Sequence, residues 1–380
     1  MRSINNSLEL TATTKPITAN QNYVKFAKNI EFHSTIHHGG PYSIKKHSSE
    51  VLDFSSNVNP LGAPSSVNKT LKSCLQKIPI YPDHDSILLK KKLAKYLGLS
   101  ANNVVVGNGA TEIIYDFCRA TLTNSTKVLI AVPTFGEYEA ASRLCGAKPR
   151  FFKTMNLETD LQDFIQKIPE NGLVFVCNPN NPTGVLISKN SIIQIIKAAK
   201  AKSTMVFVDE CFIELTQVQN QSIVDQVSKF ENLFVLRSLT KSFGLAGLRL
   251  GYGVGNRKLV LILNKIKVPW SINGLAQEAG LAALSDKIFL AKTQKLIKNE
   301  SSFLKTSISK LDAFSCSDTS TNFILIKTKQ SAKTVQKKLL DKNILVRECS
   351  SFRGLDTHYI RIAVKTHKQN QMLLKAMQTL

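Results

Sequence analysis

The sequence predicts an α/β fold with a large domain, built on a mostly parallel sheet flanked by helices, and a small α+β domain. Apolar runs at 173–177, 204–208 and 233–236 have the length of strands, and each leads directly into polar residues. Segments 161–168 and 192–199 carry apolar residues at helical spacing between those runs. Such alternation of strands and helices is typical of a parallel sheet that is covered on both faces.

The chain of 380 residues is long enough for about two domains. After residues 269–273, a long helical stretch leads to further strand-like runs at 322–326, 344–346 and 359–364. These runs indicate the second, smaller unit. We therefore expect a flexible tail at 1–35, an arm at 36–80 that joins the small domain, a large domain at 81–275 and the small domain at 276–380.

Residues 104–112 read as a strand, a glycine turn and the start of a helix. Backbone N–H groups at a helix N-terminus, together with the helix dipole, attract anions. Thr111 and Glu112 also fit the simpler interpretation of a capped helix start, and both interpretations can hold together. The segment is therefore a candidate phosphate site.

Two of the buried runs end in side chains that suit a heterocyclic ring. Asn181 comes shortly after the run at 173–177, and Asp209 directly follows the run at 204–208. A buried carboxylate is costly unless it meets a cation, and the protonated nitrogen of a pyridine ring is one. An asparagine can donate to a phenolic oxygen of the same ring. Because the carboxyl ends of parallel strands meet at one edge of a sheet, we expect these side chains to lie together.

The run at 233–236 ends in hydroxyl residues, Lys241 and, eight residues later, Arg249. A lysine at the end of a buried strand is poorly hydrated, so its pKa falls and its amine becomes a nucleophile. The hydroxyls of Ser238 and Thr240, with an arginine in reach, would suit a phosphate. Pyridoxal phosphate requires such a lysine for its aldehyde and such a cradle for its phosphate. Taken alone, the stretch is equally compatible with an ordinary surface lysine.

Together these strand ends resemble those of the fold type I pyridoxal-phosphate enzymes, the class I and II aminotransferase superfamily, and the resemblance covers about residues 36–365. It implies pyridoxal 5'-phosphate as the cofactor, with Lys241 and Asp209 as catalytic residues. It also implies a homodimer in which Tyr81 reaches the cofactor of the neighbouring subunit. The other cofactor-binding residues that it implies are Gly109, Ala110, Thr111, Phe135 (stacked on the pyridine ring), Asn181, Ser238, Thr240 and Arg249.

Two arginines of the predicted small domain are candidates for anion binding. Arg347 follows the run at 344–346, and Arg361 lies within the run at 359–364. An arginine inside a strand needs an anionic partner, because burial of its charge alone is expensive. By resemblance, Arg361 binds the α-carboxylate of the substrate. A structural salt bridge is the alternative.

Within the superfamily, the chain is most similar to the L-threonine-O-3-phosphate decarboxylases of cobalamin biosynthesis. It shares their His-Gly-Gly at 38–40, their Phe-Ser-x-Asn-x-Asn-Pro-Leu-Gly segment at 54–62, and Phe212 where the aminotransferases usually have tyrosine. This resemblance implies decarboxylation of L-threonine O-3-phosphate, a phosphorylated amino acid. The substrate-binding residues that it implies are His38, Gly39, Gly40, Asn57, Arg347 and Arg361. Lys365 stands where a second arginine is common, so serine phosphate also stays open as a substrate.

Two other functions stay open. Histidinol-phosphate aminotransferase shares the fold, the cofactor motifs and a phosphorylated substrate, and differs in which bond at the substrate Cα breaks. A non-enzymatic regulator that senses pyridoxal phosphate would need a DNA-binding module ahead of the fold. The stretch before His37 lacks the length and the apolar periodicity for such a module.

The formal charge of +23 would suit nucleic-acid binding, but the distribution of the lysines argues against it. They are scattered along amphipathic segments such as 88–97, and no basic block is interleaved with stacking aromatics. No apolar run is long enough to span a membrane, and the first residues lack the apolar region of a secretory signal. We therefore expect a cytoplasmic enzyme, with an organellar transit peptide still open. The cysteines show no zinc spacing, so we expect no metal site.

Overall fold

The computed structural model describes residues 28–31, 33, 35–36, 38–43 and 51–380. Most of the predicted tail at 1–35, and His37 as well, lie outside the described residues. The predicted domain boundaries stay predictions. In the part of the chain that is described, no helix is long and apolar enough to cross a membrane.

Strands and α-helices alternate along the chain from β2 to β6. The strands are β1 Leu52–Asp53, β2 Val104–Asn108, β3 Lys127–Val132, β4 Lys148–Lys153, β5 Leu173–Cys177, β6 Met205–Asp209, β7 Leu233–Ser238, β8 Leu250–Gly255, β9 Phe314–Cys316, β10 Phe323–Thr328, β11 Ile344–Leu345, β12 Arg347–Glu348 and β13 Tyr359–Ala363. The α-helices are α1 Lys28–Glu31, α2 Ser65–Cys74, α3 Ile87–Leu97, α4 Ala110–Thr121, α5 Glu137–Leu144, α6 Leu161–Gln166, α7 Lys189–Ala201, α8 Leu239–Ser242, α9 Arg257–Ile266, α10 Gly274–Ala283, α11 Phe289–Ile308, α12 Ala332–Leu340 and α13 His367–Met377.

A seven-stranded sheet forms the centre of the molecule, in the order β2-β8-β7-β6-β5-β3-β4. β8 runs antiparallel to both of its neighbours, β2 and β7. The other neighbouring pairs are parallel. The mostly parallel α/β sheet predicted from the sequence is therefore confirmed.

Both faces of this sheet are buried. Successive side chains of a strand point to opposite faces, so neighbouring residues join different cores. Val206 and Val208 of β6 join a core that includes Ile192 and Ile196 of α7. Phe207, between the two valines, joins a separate core with residues of α4. Strands buried on both faces have continuous apolar sequences, which is why these runs were recognisable without alternation.

The carboxyl ends of the parallel strands place the polar residues side by side. Cys177, the last residue of β5, pairs with Asp209, the last residue of β6. β7 ends at Ser238, and Lys241 follows in α8. The ends of three neighbouring strands thus lie at one edge of the sheet, as the sequence predicts.

Two smaller sheets are built around residues 314–363. β12, β13, β10 and β9 form a four-stranded antiparallel sheet, and β1 pairs in parallel with β11. The sequence predicts one strand at 344–346 with Arg347 at its end, and this is wrong in detail. The chain passes from one sheet to the other at the buried Val346, so Arg347 begins β12 instead. Arg347 consequently faces Arg361 of β13 in register.

Candidate active site

A cavity of about 440 Å3 lies at the carboxyl ends of β5, β6 and β7. Its walls come from the amino-terminal segment, the central sheet and the four-stranded sheet, so none of these parts forms it alone. Of the predicted site residues, it is lined by His38, Gly39, Asn57, Ala110, Thr111, Phe135, Asn181, Asp209, Ser238, Thr240, Lys241, Arg249, Arg347 and Arg361. Among the lining residues that were not predicted as site residues are Ser55, Ser351 and Phe352.

Three predicted site residues, Gly40, Tyr81 and Gly109, do not line this cavity. Gly109 supports Arg249: a Cβ on Gly109 would lie 2.5 Å from Nη2 of Arg249, and its φ of +83° favours glycine. Gly40 is buried, and its N–H donates to Oγ of Ser55 at 2.8 Å. Tyr81 is 82% exposed on the surface. Its predicted contact with the site of a neighbouring subunit stays a prediction.

Lys241 carries an amine that is easily deprotonated. Burial lowers its pKa from the usual 10.5 to about 8, and the positive charges of Arg361 and Arg249 act in the same direction. The opposing effect of Asp209 is smaller than these. Near neutral pH the side chain can therefore both release and regain a proton, which a surface lysine does not do.

We expect Lys241 of the cofactor-free protein to react with a small electrophilic reagent that modifies amines, at a rate that depends on pH. Only the neutral amine is nucleophilic, so the rate should rise through about pH 8 and level off above it. Lys267 provides a matched control, because burial also lowers its pKa to about 8 and it lies outside the cavity. Peptide mass spectrometry would give both rates. Pyridoxal phosphate should protect Lys241 and leave Lys267 reactive, whereas a Lys241 midpoint near 10.5 would contradict the effect of burial.

Asp209 is fixed by donors to both of its carboxylate oxygens. The hydroxyl of Tyr138 donates to Oδ2 at 2.6 Å, and the backbone N–H of Cys211 donates to Oδ1 at 2.8 Å. Burial raises the pKa of Asp209, and these hydrogen bonds with the charge of Lys241 only partly offset that effect. A cation in the cavity, such as a protonated ring nitrogen, would stabilise the carboxylate.

The contribution of Tyr138 was not predicted from the sequence. It lies in α5, three residues after Phe135, and its ring stacks on Phe175 with centroids 4.9 Å apart. Burial keeps its pKa well above the usual value, so the hydroxyl stays a donor to Asp209. The three-residue spacing after Phe135 was the available signal, but the same spacing fits an ordinary core aromatic.

The residues around the start of α4 fit the phosphate of pyridoxal phosphate. Ala110 and Thr111 form the first turn of that helix, where backbone N–H groups and the dipole attract anions. Oγ1 of Thr240 is buried and has no hydrogen-bond partner among the described residues, so a phosphate oxygen would satisfy it. Arg249 adopts φ of 56°, a strained conformation for a non-glycine residue that is common at binding sites.

Arg361 is buried, and its hydrogen bonds to the protein leave Nε free to donate to a ligand. Its guanidinium donates to Oδ1 of Asn181 and, at 2.9 Å, to the backbone oxygen of Ser55. Its Nε is buried and has no hydrogen-bond partner within the described chain. Burial, reinforced by the charge of Arg347, lowers the pKa of Arg361 to about 10. An anionic ligand would accept a hydrogen bond from Nε and would offset the repulsion between Arg361 and Arg347.

Arg347 and Arg361 face the cavity from opposite positions of neighbouring strands. Like charges in directly opposite positions are unfavourable unless something neutralises them. Nη2 of Arg347 donates to Oγ of Ser351 at 2.8 Å, which is a neutral partner. Both guanidinium groups thus line the cavity. The described residues contain no group of three or more His, Cys, Asp or Glu side chains that could hold a metal ion.

The sequence matches the family model for aminotransferase class I and II over residues 49–377. The chain belongs to this family. The resemblance stated from the motifs is thereby confirmed, together with the fold type I architecture and pyridoxal 5'-phosphate as the cofactor. The residues of the cavity that would hold this cofactor are those around Lys241, Asp209 and the start of α4.

Relatives with two different activities are similar to the chain to nearly the same degree. A protein of Caldanaerobacter subterraneus subsp. tengcongensis, provisionally named threonine-phosphate decarboxylase, is 37% identical over 348 residues, covering 90% of this chain and 93% of that protein. The histidinol-phosphate aminotransferase of Thermoanaerobacter pseudethanolicus is 35% identical over 364 residues, covering 94% and 97%. The crystal structure of L-threonine-O-3-phosphate decarboxylase from Porphyromonas gingivalis is 29% identical with a TM-score of 0.79, covering 87% of this chain and 99% of that one. These similarities support a pyridoxal-phosphate enzyme and do not distinguish between the two substrates, so the substrate has to be inferred from the residues of the site.

Proposed function

We propose that this protein decarboxylates L-threonine O-3-phosphate to (R)-1-amino-2-propanol O-2-phosphate, which would serve as the linker of the cobalamin nucleotide loop. The observation that carries the proposal is the pair Arg347 and Arg361, opposite each other on the cavity wall. Threonine phosphate brings two anionic groups, a carboxylate and a phosphate, to this wall. Histidinol phosphate brings only one. Two cations beyond those for the cofactor therefore suit a phosphorylated amino acid, which brings both anions in one substrate, whereas in the aminotransferase only the second substrate, glutamate or 2-oxoglutarate, would bring two.

In the proposed reaction, pyridoxal phosphate serves as the electron sink for the bond that breaks at the substrate Cα. Asp209 would hold the proton on its ring nitrogen. Arg361 would bind the carboxylate, while Arg347 and His38 would bind the phosphate. With the substrate held at both ends, the bond between Cα and the carboxylate carbon would be oriented for cleavage. Carbon dioxide leaves, and one proton is added at Cα.

Lys241 is assigned as the donor of the proton that is added at Cα. An acid with a pKa near the working pH both holds and donates a proton efficiently, and the pKa of Lys241 is about 8. Phe212 also supports decarboxylation over transamination. It lines the cavity at the position where the aminotransferases usually have tyrosine, and its ring cannot hydrogen-bond the cofactor. Its ring instead packs edge-on against Phe323, with centroids 5.1 Å apart.

The test is product analysis of the cofactor-loaded protein with L-threonine O-3-phosphate, with and without 2-oxoglutarate. We expect carbon dioxide and aminopropanol phosphate in equal amounts, independent of the keto acid. L-Serine O-3-phosphate tests the choice between the two phosphorylated amino acids. Absence of carbon dioxide together with keto-acid-dependent turnover of histidinol phosphate would reject the decarboxylase in favour of the aminotransferase.

We also propose that the enzyme is a cytoplasmic homodimer. A surface that includes Ile78, Ile80 and Tyr81 is apolar, with these side chains 65%, 66% and 82% exposed. Trp270, 50% exposed, packs against the ring of Tyr81 with centroids 5.3 Å apart. An exposed apolar patch of this kind is typical of a protein interface. A second copy of the chain seated there would bring Tyr81 towards the partner's cofactor.

A further inference from the structure

Glu137 lies behind the cavity wall and contacts a histidine that lines the cavity. It is the first residue of α5 and is only 5% exposed. Its Oε1 lies 2.7 Å from Nε2 of His38, and its Oε2 accepts a hydrogen bond from the hydroxyl of Tyr115 at 2.7 Å. His38 lines the cavity, whereas Glu137 and Tyr115 lie behind it. The three side chains thus form a series that ends at the cavity.

The carboxylate determines which nitrogen of His38 is available to a ligand. Burial acts to raise the pKa of Glu137, but the hydrogen bonds from His38 and Tyr115 lower it overall, so the group is a carboxylate at neutral pH. A carboxylate only accepts hydrogen bonds, so Nε2 of His38 must carry a proton. Nδ1 is then the nitrogen that a ligand can use. A phosphate oxygen also only accepts, so it would bind the doubly protonated ring, whose charge Glu137 offsets.

The backbone of this segment is held by other contacts, so fixing the chain does not require Glu137. The N–H of Gly40 donates to Oγ of Ser55 at 2.8 Å. Gly39 is so close to Ser55 that a Cβ on Gly39 would lie 3.0 Å from its backbone oxygen. The contact of Glu137 with His38 therefore orients the imidazole rather than anchoring the segment.

We infer that Glu137 is a positioning residue for a phosphate: it holds the imidazole of His38 by Nε2 so that Nδ1 can bind the phosphate of the substrate. The inference rests on the proposed function, because the phosphate belongs to the substrate proposed there. Glu137 acts through His38, because it does not itself line the cavity. It therefore contributes, together with Arg347, to selectivity for phosphorylated over unphosphorylated substrates.

The experiment compares Glu137→Gln with the wild-type holoenzyme. Binding is followed by the absorbance change of the cofactor immediately after rapid mixing, before turnover, with L-threonine O-3-phosphate and with L-threonine. We expect the affinity for the phosphorylated compound to fall about tenfold, as one charge-assisted hydrogen bond weakens, and the affinity for L-threonine to stay within about twofold. Glu139→Gln is the matched control, because Glu139 lies in the same helix and bonds Arg143 and Arg353 instead. It should change neither affinity.

Equal losses for both compounds, or loss of cofactor loading, would show that Glu137 is structural and overturn the inference. If Glu137→Gln does not fold, Tyr115→Phe removes one of the two bonds to Glu137 and should reduce the same selectivity about threefold. Should the wild-type enzyme fail to decarboxylate threonine phosphate, the proposed function fails by itself. The ratio of affinities for a phosphorylated and an unphosphorylated compound is then measured with histidinol phosphate and histidinol. If Glu137→Gln leaves this ratio unchanged both for this pair and for the threonine pair, the inference is rejected.

Discussion

Lys241→Ala is expected to lower the turnover of L-threonine O-3-phosphate by about 10³-fold or more. Removal of a positioned acid or base costs about 10² to 10⁴ in rate, and Lys241 is proposed both to bind the cofactor aldehyde and to donate the proton to Cα. No other lysine lines the cavity among the described residues. Carbon dioxide release gives the rate. Borohydride reduction followed by mass spectrometry should place the cofactor on Lys241 in the wild type.

Lys267→Ala is the control for this substitution. The pKa of Lys267 is lowered to about 8 by burial, as is that of Lys241, but the side chain lies outside the cavity. Its removal should leave turnover within about twofold, a change typical of a site that does not touch the reaction. Comparable losses in the two variants, or cofactor attached elsewhere after reduction, would refute the role of Lys241.

Arg237→Met is expected to lower the free energy of unfolding by about 3–5 kcal/mol, because removal of one partner leaves buried charge unpaired. Arg237 is 4% exposed and Glu210 is 1% exposed. The Nε of Arg237 donates to Oε2 of Glu210 at 2.8 Å, and its Nη1 donates to Oε1 of Glu214 at 3.1 Å. Burial acts to lower the pKa of Arg237, but chiefly Glu210 raises it above the usual value. Urea denaturation at neutral pH measures the change.

A partly exposed ion pair provides the comparison for this cluster. Nε of Arg143 lies 2.8 Å from Oε1 of Glu139 within α5, and the two side chains are 49% and 20% exposed. Arg143→Met should cost at most about 1 kcal/mol, because water reaches the pair and Arg353 still pairs with Glu139. Adding Glu210→Gln to Arg237→Met should restore part of the lost stability, since it removes one of the unpaired charges. Equal effects of the two arginine substitutions would show that burial does not strengthen the Arg237 pair.

The sequence by itself determined the central sheet and the cofactor end of the site. The apolar runs that became β5, β6 and β7 are buried on both faces, so their composition identified them without knowledge of any partner. Asp209 and Lys241 follow these runs directly along the chain. Strands that lie in parallel necessarily bring such residues to one edge, and no side-chain detail is needed to foresee it.

Only the tertiary structure decided which side chains orient those residues. Tyr138 bonds Asp209 across 71 residues, and Glu137 bonds His38 across 99. The opposition of Arg347 and Arg361 depends on a change of sheet at Val346, which the apolar run at 344–346 does not reveal. Local sequence records how a residue fits its own strand or helix. Contacts between distant segments depend on register and packing, and those are settled only when the whole chain is folded.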